Sequence, residues 1–212
     1  MDDIDRFNED AATWDDDPDH VERARSVAGL VRQTIALGED THALEIGGGT
    51  GLLARALVDD LGTVVVTDVA PGMVEAARGA LDDPAYAGWE ARVYDIEHDP
   101  LPDERFDLVL GQLALHHMGD VATVVRRCAE LLRPEGWVAL VDLDHDPRGD
   151  FHASVHDFHG HDGFDRGSVL QWLEEAGLTD VAVIDAGTVT KEVGSSEQEF
   201  PLFLAIGRLP AT

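Results

Sequence analysis

Lysine is nearly absent from this sequence. Of 212 residues, 43 are Asp or Glu and 15 are Lys or Arg, which gives a formal net charge of -28, and Lys191 is the single lysine. Nucleic-acid binding draws its affinity from clustered Lys and Arg, and we find no basic cluster beyond Arg126-Arg127. The charge therefore excludes nucleic acid and anionic membrane surfaces as partners.

Cysteine and long apolar runs are also scarce. The single cysteine, Cys128, excludes an intramolecular disulfide and a four-thiolate metal site, and its place on an apolar helix face predicts a core residue. No apolar run approaches the ~18–20 residues of a membrane span, and the acidic first residues lack the features of a signal peptide. A hydrophobic fraction of 44% is ordinary for a globular chain. We expect a single-domain cytoplasmic protein.

Helical and strand patterns alternate over the first 143 residues. An Asp17-Pro18 start predicts a helix over 18–37. Further helices are predicted at 50–61, 71–81 and 121–132, the last ended by Pro134-Glu135-Gly136, and strands at 42–46, 63–67, 89–94, 106–110 and 137–143. This alternation predicts an α/β fold, a doubly wound, mostly parallel sheet with helices on both faces.

The last third of the chain has a different texture. Residues 144–165 are rich in His, Asp and Gly and show little periodicity. A helix is predicted over 169–176, capped by Gly177. Two strands follow, at 178–185 and 200–209, with Gly194-Ser195-Ser196 between them.

The sharpest local feature is a glycine loop between a strand and a helix, formed by Gly47, Gly48, Gly49 and Gly51. A phosphate-binding loop is excluded because no lysine follows. A dinucleotide fingerprint fits poorly, because its last glycine would fall at Leu52. The loop is therefore either a ligand-binding turn at a helix N-terminus or a tight turn without a ligand.

Two acids end the second and third predicted strands. Asp68 is positioned to accept hydrogen bonds from both hydroxyls of a ribose, or to cap the helix that starts near Pro71, or to do both. Asp95 follows the third strand. Because ligands bind outside the carboxyl ends of strands in a doubly wound sheet, both acids should converge with the glycine loop.

At this point the sequence resembles a known family. The segments "ALEIGGGTGLLA", "VVVTDVAPGMVEAAR", "VYDIEHDPLPDERFDLVLGQLALHHM" and "LLRPEGWVALVDLD" are similar to class I S-adenosylmethionine-dependent methyltransferases of the small-molecule, ubiquinone/menaquinone-biosynthesis type. The resemblance implies a Rossmann-like, seven-stranded sheet that ends in an antiparallel hairpin. It also implies S-adenosylmethionine as cofactor and a small molecule as methyl acceptor.

The resemblance also implies an organisation of the chain and roles for its residues. One domain would contain a helical lid (1–38), a cofactor-binding core (40–143), a substrate-facing insertion (144–165) and a C-terminal helix and hairpin (166–209). Glu45 would order the glycine loop near the cofactor's amino group, with the four loop glycines under its methionine part. The other expected cofactor contacts are Asp68 to the ribose, Val69, Met73, Asp95 and Ile96 around the adenine, and Gln112 at the methionine end.

Three regions of the sequence leave alternatives open. His116-His117 supply either a general base or structural hydrogen bonds. Trp14 either caps the methionine end of the cofactor or packs the lid helix on the sheet. The His- and Asp-rich segment matches no tight metal motif, so we expect no metal and assign His156 and His161 to lining the substrate pocket.

Two rival functions remain at this level. A nucleotide-cofactor oxidoreductase is disfavoured by the glycine spacing, and a non-catalytic cofactor-binding regulator would keep the pocket without the chemistry. The sequence leaves the oligomeric state and the acceptor atom open. Most of the 43 acids must lie on the surface, which is typical of a protein that works in a salt-rich cytoplasm.

Overall fold

The computed structural model describes residues 3–153, 155 and 158–211. Its strands are β1 (Gly38–Glu45), β2 (Leu61–Asp68), β3 (Glu90–Val93), β4 (Phe106–Gln112), β5 (Leu132–Leu143), β6 (Thr179–Val193) and β7 (Ser196–Arg208). They form one sheet in the order β3-β2-β1-β4-β5-β7-β6. Only the β7 pairings are antiparallel. The predicted fold class, including the C-terminal antiparallel hairpin, is confirmed.

Short polar side chains cap three of the helices in the described residues. The helices are α1 (Asp3–Asp10), α2 (Pro18–Thr34), α3 (Leu52–Ala56), α4 (Pro71–Leu81), α5 (Val121–Glu130) and α6 (Arg166–Glu175), with a 3-10 turn at Ala11–Asp16. Asp17, Asp120 and Asp165 each accept a backbone N–H from the first turn of α2, α5 and α6. Such caps satisfy amides that the helix itself leaves without partners.

Apolar side chains are buried on both faces of the sheet. On one face, Val27 and Val31 of α2 pack in a cluster with strand residues such as Leu204. On the other face, Cys128 of α5 and Leu173 of α6 are both fully buried. Burial raises the pKa of the Cys128 thiol to about 12, so this cysteine is the inert core residue that the sequence predicts.

Two predicted boundaries on the N-terminal side of strands are wrong. The helix predicted at 50–61 is the short α3, because i to i+3 turns such as Leu57 N to Ala54 O (2.8 Å) replace it and β2 begins at Leu61. The segment Pro134-Glu135-Gly136 lies inside β5 and not between α5 and the strand. There Glu135 takes a positive φ of 69° and donates its N–H to Leu209 O at 2.9 Å.

The C-terminal hairpin is longer than predicted. Strands β6 and β7 continue pairing beyond the sheet, from Thr188 opposite Pro201 to Val193 opposite Ser196. Burial alternates along this extension: Val189, Lys191 and Val193 are half-buried on one face, and both valines pack against the core cluster. The extension brings Lys191 to Phe151, whose carbonyl oxygen accepts from its Nζ.

None of the helices in the described ranges has the length and apolarity that a bilayer crossing requires.

The distribution of acids generates a first prediction. Within the described residues, Glu45 and Asp142 are the only buried acids, so nearly all the negative charge lies on the surface. Because salt screens like-charge repulsion, we expect the melting temperature to rise by several degrees between about 0.1 M and 2 M KCl. Differential scanning fluorimetry, with a near-neutral protein as control, measures this rise. A melting temperature that stays flat, or follows the control, contradicts it.

Candidate active site

The glycine loop closes a tight turn between β1 and α3. Gly47 and Gly49 have φ values of 54° and 56°, and Gly48 donates its N–H to Thr67 O at 2.8 Å. A Cβ added to Gly47 would lie 2.5 Å from Ala114 Cβ, whereas one on Gly49 would meet only Met73 Sδ at 3.7 Å and Trp14 Nε1 at 4.0 Å. A side chain at position 47 would therefore clash with Ala114, which explains the glycine there. The absence of a side chain at Gly49 leaves open space, and Gly49 lines a cavity.

That cavity has a volume of about 1090 Å³ and lies at the carboxyl ends of β1, β2 and β4, beneath α1 and the 3-10 turn. It collects most of the residues that the sequence assigns to the site. Those on its lining are Trp14, Glu45, Gly47, Gly48, Gly49, Asp68, Val69, Met73, Asp95, Ile96, Gln112, His116 and His117. Gly51 lies off the lining, where its φ of 80° begins α3.

Glu45 lies beneath the loop, almost fully buried. Its Oε2 accepts the Ala54 N–H at 3.2 Å, which ties the end of β1 to α3. Burial raises the pKa of the Glu45 carboxyl to about 8, so the side chain is protonated at neutral pH. Glu45 therefore connects the two elements that flank the glycine loop. Its proximity to a cofactor amino group stays a prediction.

Asp68 connects the loop to the next helix. Its Oδ2 accepts the Gly49 N–H at 2.9 Å, and its Oδ1 accepts the Ala70 N–H at 2.8 Å. The pKa of the carboxyl is raised, because burial outweighs these backbone hydrogen bonds. The helix-capping position of α4 belongs to Ala70, so Asp68 is not the N-cap. Asp68 lines the cavity, and a carboxylate has about four acceptor sites, so it keeps capacity for a further donor.

The wall next to Asp68 is partly apolar. Val69 is 39% exposed and Met73 is buried, and both line the cavity. Asp95 accepts the Glu97 N–H at 2.8 Å and pairs with the His98 Nδ1 at 2.9 Å. Ile96, also buried, completes this wall.

The N-terminal segment is tied to the glycine loop and to α3. Asp15 accepts from Thr50 Oγ1 at 2.5 Å and pairs with Arg55 Nη1 at 2.5 Å. Trp14 packs on the Ala11–Met73 cluster, and its ring lies 4.2 Å from that of His20. Trp14 thus packs the N-terminal segment against Met73 of α4 and also lines the cavity, and its place at the methionine end of a cofactor stays a prediction. Nothing in the sequence pattern singled out Asp15 as the tether.

Two adjacent histidines line another part of the cavity, and one of them, His116, is buried against an acid. His116 is 2% exposed and its Nδ1 lies 2.7 Å from Oδ1 of Asp142, which is fully buried. The Asp142 carboxylate also accepts the N–H groups of His116 (3.3 Å) and Leu143 (2.8 Å). The sequence analysis missed Asp142. Its place near the end of β5, beside the end of β4, was the available signal.

A third histidine lies beside this pair. His152 stacks on Phe158 with ring centroids 3.6 Å apart, and its buried Nδ1 has no hydrogen-bond partner among the described residues. Burial first, and then nearby positive charges, lower the pKa of His152 to about 3, so the ring is neutral. Ring nitrogens of His116, His117 and His152 lie within 4.8 Å of one another, a spacing that a metal ion could bridge. The nearby charges of Lys191 and Arg6 oppose a cation there.

The predicted substrate histidines have different outcomes. His156 lies outside the described residues. His161 is corrected, because it is absent from the cavity lining. Its N–H donates to His116 O at 2.7 Å, and its ring turns away toward Phe164, with centroids 5.2 Å apart. The insertion instead places Phe151 and His152 on the cavity wall.

Gln112 lies between the two ends of the cavity. Its Oε1 is buried and has no partner within the described part of the chain. The next residue, Leu113, has a φ of 54°, which a leucine adopts only where the surroundings enforce it. Because buried polar atoms are normally hydrogen-bonded, this oxygen is available to accept from a ligand in the cavity.

The sequence is similar to those of known methyltransferases. Residues 44–140 match the model of a family described as a methyltransferase domain. The biotin biosynthesis bifunctional protein BioCD of Bordetella avium is 36% identical over 122 residues, which are 57% of this chain and 25% of that protein. The uncharacterized methyltransferase YcgJ of Bacillus subtilis is 30% identical over 114 residues, or 54% of this chain and 45% of YcgJ. The aligned segments span less than half the length of either protein.

Solved structures show the same fold. YcgJ superposes with a TM-score of 0.71, over 88% of this chain and 99% of that chain at 18% identity. A SAM-dependent methyltransferase from Aquifex aeolicus covers 99% of this chain and 100% of its own, with a TM-score of 0.68 and 17% identity. The chain thus has the fold of these solved methyltransferases, and its residues 44–140 are similar to a methyltransferase domain.

The buried Glu45 generates a prediction about stability and pH. From its ordinary pKa of 4.5 up to about 8, the folded chain keeps a proton that the unfolded chain releases, so this carboxyl lowers stability as pH rises. Glu45→Gln removes that dependence and keeps an oxygen for the Ala54 amide. We expect the melting-temperature advantage of the variant over the parent to grow from about pH 5 to about pH 8.

The control for this measurement is Glu39→Gln, which changes an exposed acid on the same strand. Its melting-temperature difference from the parent should stay constant over the same pH range. A constant difference for Glu45→Gln as well would show that Glu45 is ionised in the folded protein.

Proposed function

We propose that this protein is an S-adenosylmethionine-dependent methyltransferase that acts on a small-molecule acceptor by in-line displacement. One observation carries the proposal: a single cavity joins the glycine loop, Asp68 and Asp95 at one end to the His116–Asp142 pair at the other. Its volume of about 1090 Å³ leaves room for a nucleoside cofactor and a small acceptor together.

The residues present fit this cofactor. Gly49 leaves open space beside Met73 and Trp14, and Asp68 keeps acceptor capacity for ribose hydroxyls. Gln112 offers a buried, unpartnered Oε1 to a donor such as the methionine ammonium group. When bound, S-adenosylmethionine supplies an electrophilic methyl group on a positively charged sulfur. The chain then has to hold the acceptor atom about 3–3.5 Å from that methyl carbon.

The His116–Asp142 pair supplies a general base for acceptors that carry a proton. The buried carboxylate accepts from Nδ1 and so fixes the tautomer, which leaves Nε2 to accept a proton. Proton removal by a positioned histidine typically contributes 10²–10⁴-fold to a rate. In this proposal His116 is the catalytic residue, and Asp142 is the positioning residue behind it.

The acidic surface supports a further part of the proposal, that the enzyme works in a salt-rich cytoplasm. A net charge of -28 self-repels at low ionic strength and is screened at molar salt.

A ligand titration tests the proposed class against its rivals. We expect S-adenosylhomocysteine to raise the melting temperature and NAD to leave it unchanged. Release of S-adenosylhomocysteine from S-adenosylmethionine in the presence of a panel of small acceptors then separates an enzyme from a binding protein. A protein that responds to neither ligand contradicts the proposal, and one that responds only to NAD supports the oxidoreductase.

The ribose contact gives a specific prediction. Asp68→Ala should weaken S-adenosylhomocysteine binding by roughly 1–3 kcal/mol, the cost of a lost charged hydrogen bond. The exposed acid Asp59 lies off the cavity, so Asp59→Ala is the matched loss of one negative charge and should bind normally. Isothermal titration calorimetry measures both. Unchanged affinity in Asp68→Ala would place the cofactor elsewhere.

The proposed base gives a second prediction. His116→Gln should lower kcat by roughly 10²-fold or more while S-adenosylhomocysteine affinity stays within about twofold. His145 is exposed and absent from the cavity lining, so His145→Gln is the control and should keep parental turnover. Parental kcat in His116→Gln would remove the base from the mechanism. A loss of cofactor affinity instead would assign His116 to the cofactor end.

A further inference from the structure

Positive charge is concentrated on one wall of the cavity. Although the chain has 43 acids and only 15 Lys and Arg, three basic side chains line this wall: Arg6 from α1, Arg23 from α2 and Lys191 from the extension of β6. The single lysine of the sequence is one of them. Three separate elements thus bring basic side chains, which are rare in this chain, to one wall of the cavity.

Lys191 is held at the cavity without a negative partner. Its Nζ donates to Phe151 O at 3.1 Å and lies 3.9 Å from the centroid of the Phe151 ring. Within the described part of the chain it pairs with no carboxylate. Burial, followed by the charges of Arg6 and Arg23, lowers the pKa of the Lys191 ammonium, which shows that the three charges lie close together.

Arg23 has a similar environment. Its Nε is buried without a hydrogen-bond partner, and it forms no ion pair with any described residue. Burial lowers the pKa of the Arg23 guanidinium, and the negative charges of Asp17 and Asp19 offset this lowering only in part. A buried guanidinium N–H without an acceptor costs free energy that an anionic ligand would recover.

Acids line the same cavity: Asp68, Asp95 and Glu97, together with Glu9 and Asp10 from α1. The basic wall lies beside the proposed base, because Lys191 contacts Phe151, whose ring centroid is 6.1 Å from that of His116. The charges of Lys191 and Arg6 also act on the neighbouring His152. The positive charges are therefore next to the proposed base.

We propose that Lys191 and Arg23, with Arg6 beside them, bind an anionic group of the methyl acceptor, a carboxylate or a phosphate. This inference rests on the proposed function. It adds the substrate class: the acceptor is a small organic anion whose charged group anchors it while another atom faces His116. A charged hydrogen bond in a partly buried site is worth enough to select an anion over its neutral isostere.

The test measures anion binding to the parental protein saturated with S-adenosylhomocysteine. At constant ionic strength we titrate benzoate, its neutral isostere benzamide, and inorganic phosphate, and follow the melting temperature and calorimetric heat. We expect benzoate or phosphate to bind and benzamide not to bind. Lys191→Met should weaken the anion about 10-fold, as expected for one charged contact. Arg25→Met, which removes an exposed charge off the cavity, should leave it unchanged.

A second arm separates the acceptor from the cofactor's own carboxylate. S-adenosylhomocysteine carries an amino-acid carboxylate, and 5′-methylthioadenosine lacks it. If Lys191→Met and Arg23→Met weaken only the former, the cations serve the cofactor and the proposal is overturned. If both variants bind both nucleosides as the parent does and lose only the anion, the proposal holds. Lys191→Gln replaces Lys191→Met should the latter fail to fold.

The outcomes also distinguish this proposal from the proposed function. A parent that binds S-adenosylhomocysteine but shows no preference for benzoate or phosphate over benzamide overturns the anionic acceptor alone. A parent that does not bind S-adenosylhomocysteine overturns the methyltransferase function, and the acceptor with it.

Discussion

The carboxylate of Asp68 links the two strand ends on which the site is built. Its oxygens accept from Gly49 and Ala70, so the loop after β1 and the start of α4 are fixed relative to each other. The neighbouring hydrogen bond from Gly48 to Thr67 holds the same two strand ends from the backbone side. With the loop fixed, Thr50 presents its hydroxyl to Asp15, and the lid closes over the cavity. The position of the lid therefore follows from that of the loop.

The two buried acids illustrate different solutions to the cost of burying a carboxyl. Glu45 has only backbone donors near α3, and its pKa rises until the group is neutral at physiological pH. Asp142 is surrounded by three donors, the Nδ1 and N–H of His116 and the N–H of Leu143. Glu45 supports a turn without adding charge beside the glycine loop. Asp142 orients His116.

The fold, and the meeting of the strand-end acids with the glycine loop at one cavity, could be predicted from the sequence because their signals are local. Strand-end acids and a glycine loop follow from the rule that ligands bind at the carboxyl ends of parallel strands, and Asp68 and Asp95 both line the cavity. The acceptor end depends on contacts between distant segments. Asp142 and His116 are 26 residues apart in the sequence. Lys191 reaches the cavity through a hairpin extension that was not predicted as a strand. His161 was misassigned because its orientation follows from a backbone contact with His116 that no pattern encodes.

The whole molecule is negatively charged, whereas Arg6, Arg23 and Lys191 make one wall of the cavity positive. The salt concentration decides which of these two charges an approaching anion experiences. At low ionic strength a surface with a net charge of -28 repels a small anion before it reaches the cavity. Molar salt shortens the Debye length to about 3 Å, which removes this long-range repulsion but screens contacts between partly buried groups much less. Lys191 and Arg23 are such partly buried groups. Salt therefore weakens the repulsion by the surface more than it weakens contacts with Lys191 and Arg23, so an acidic exterior is compatible with the proposed anionic acceptor in molar salt.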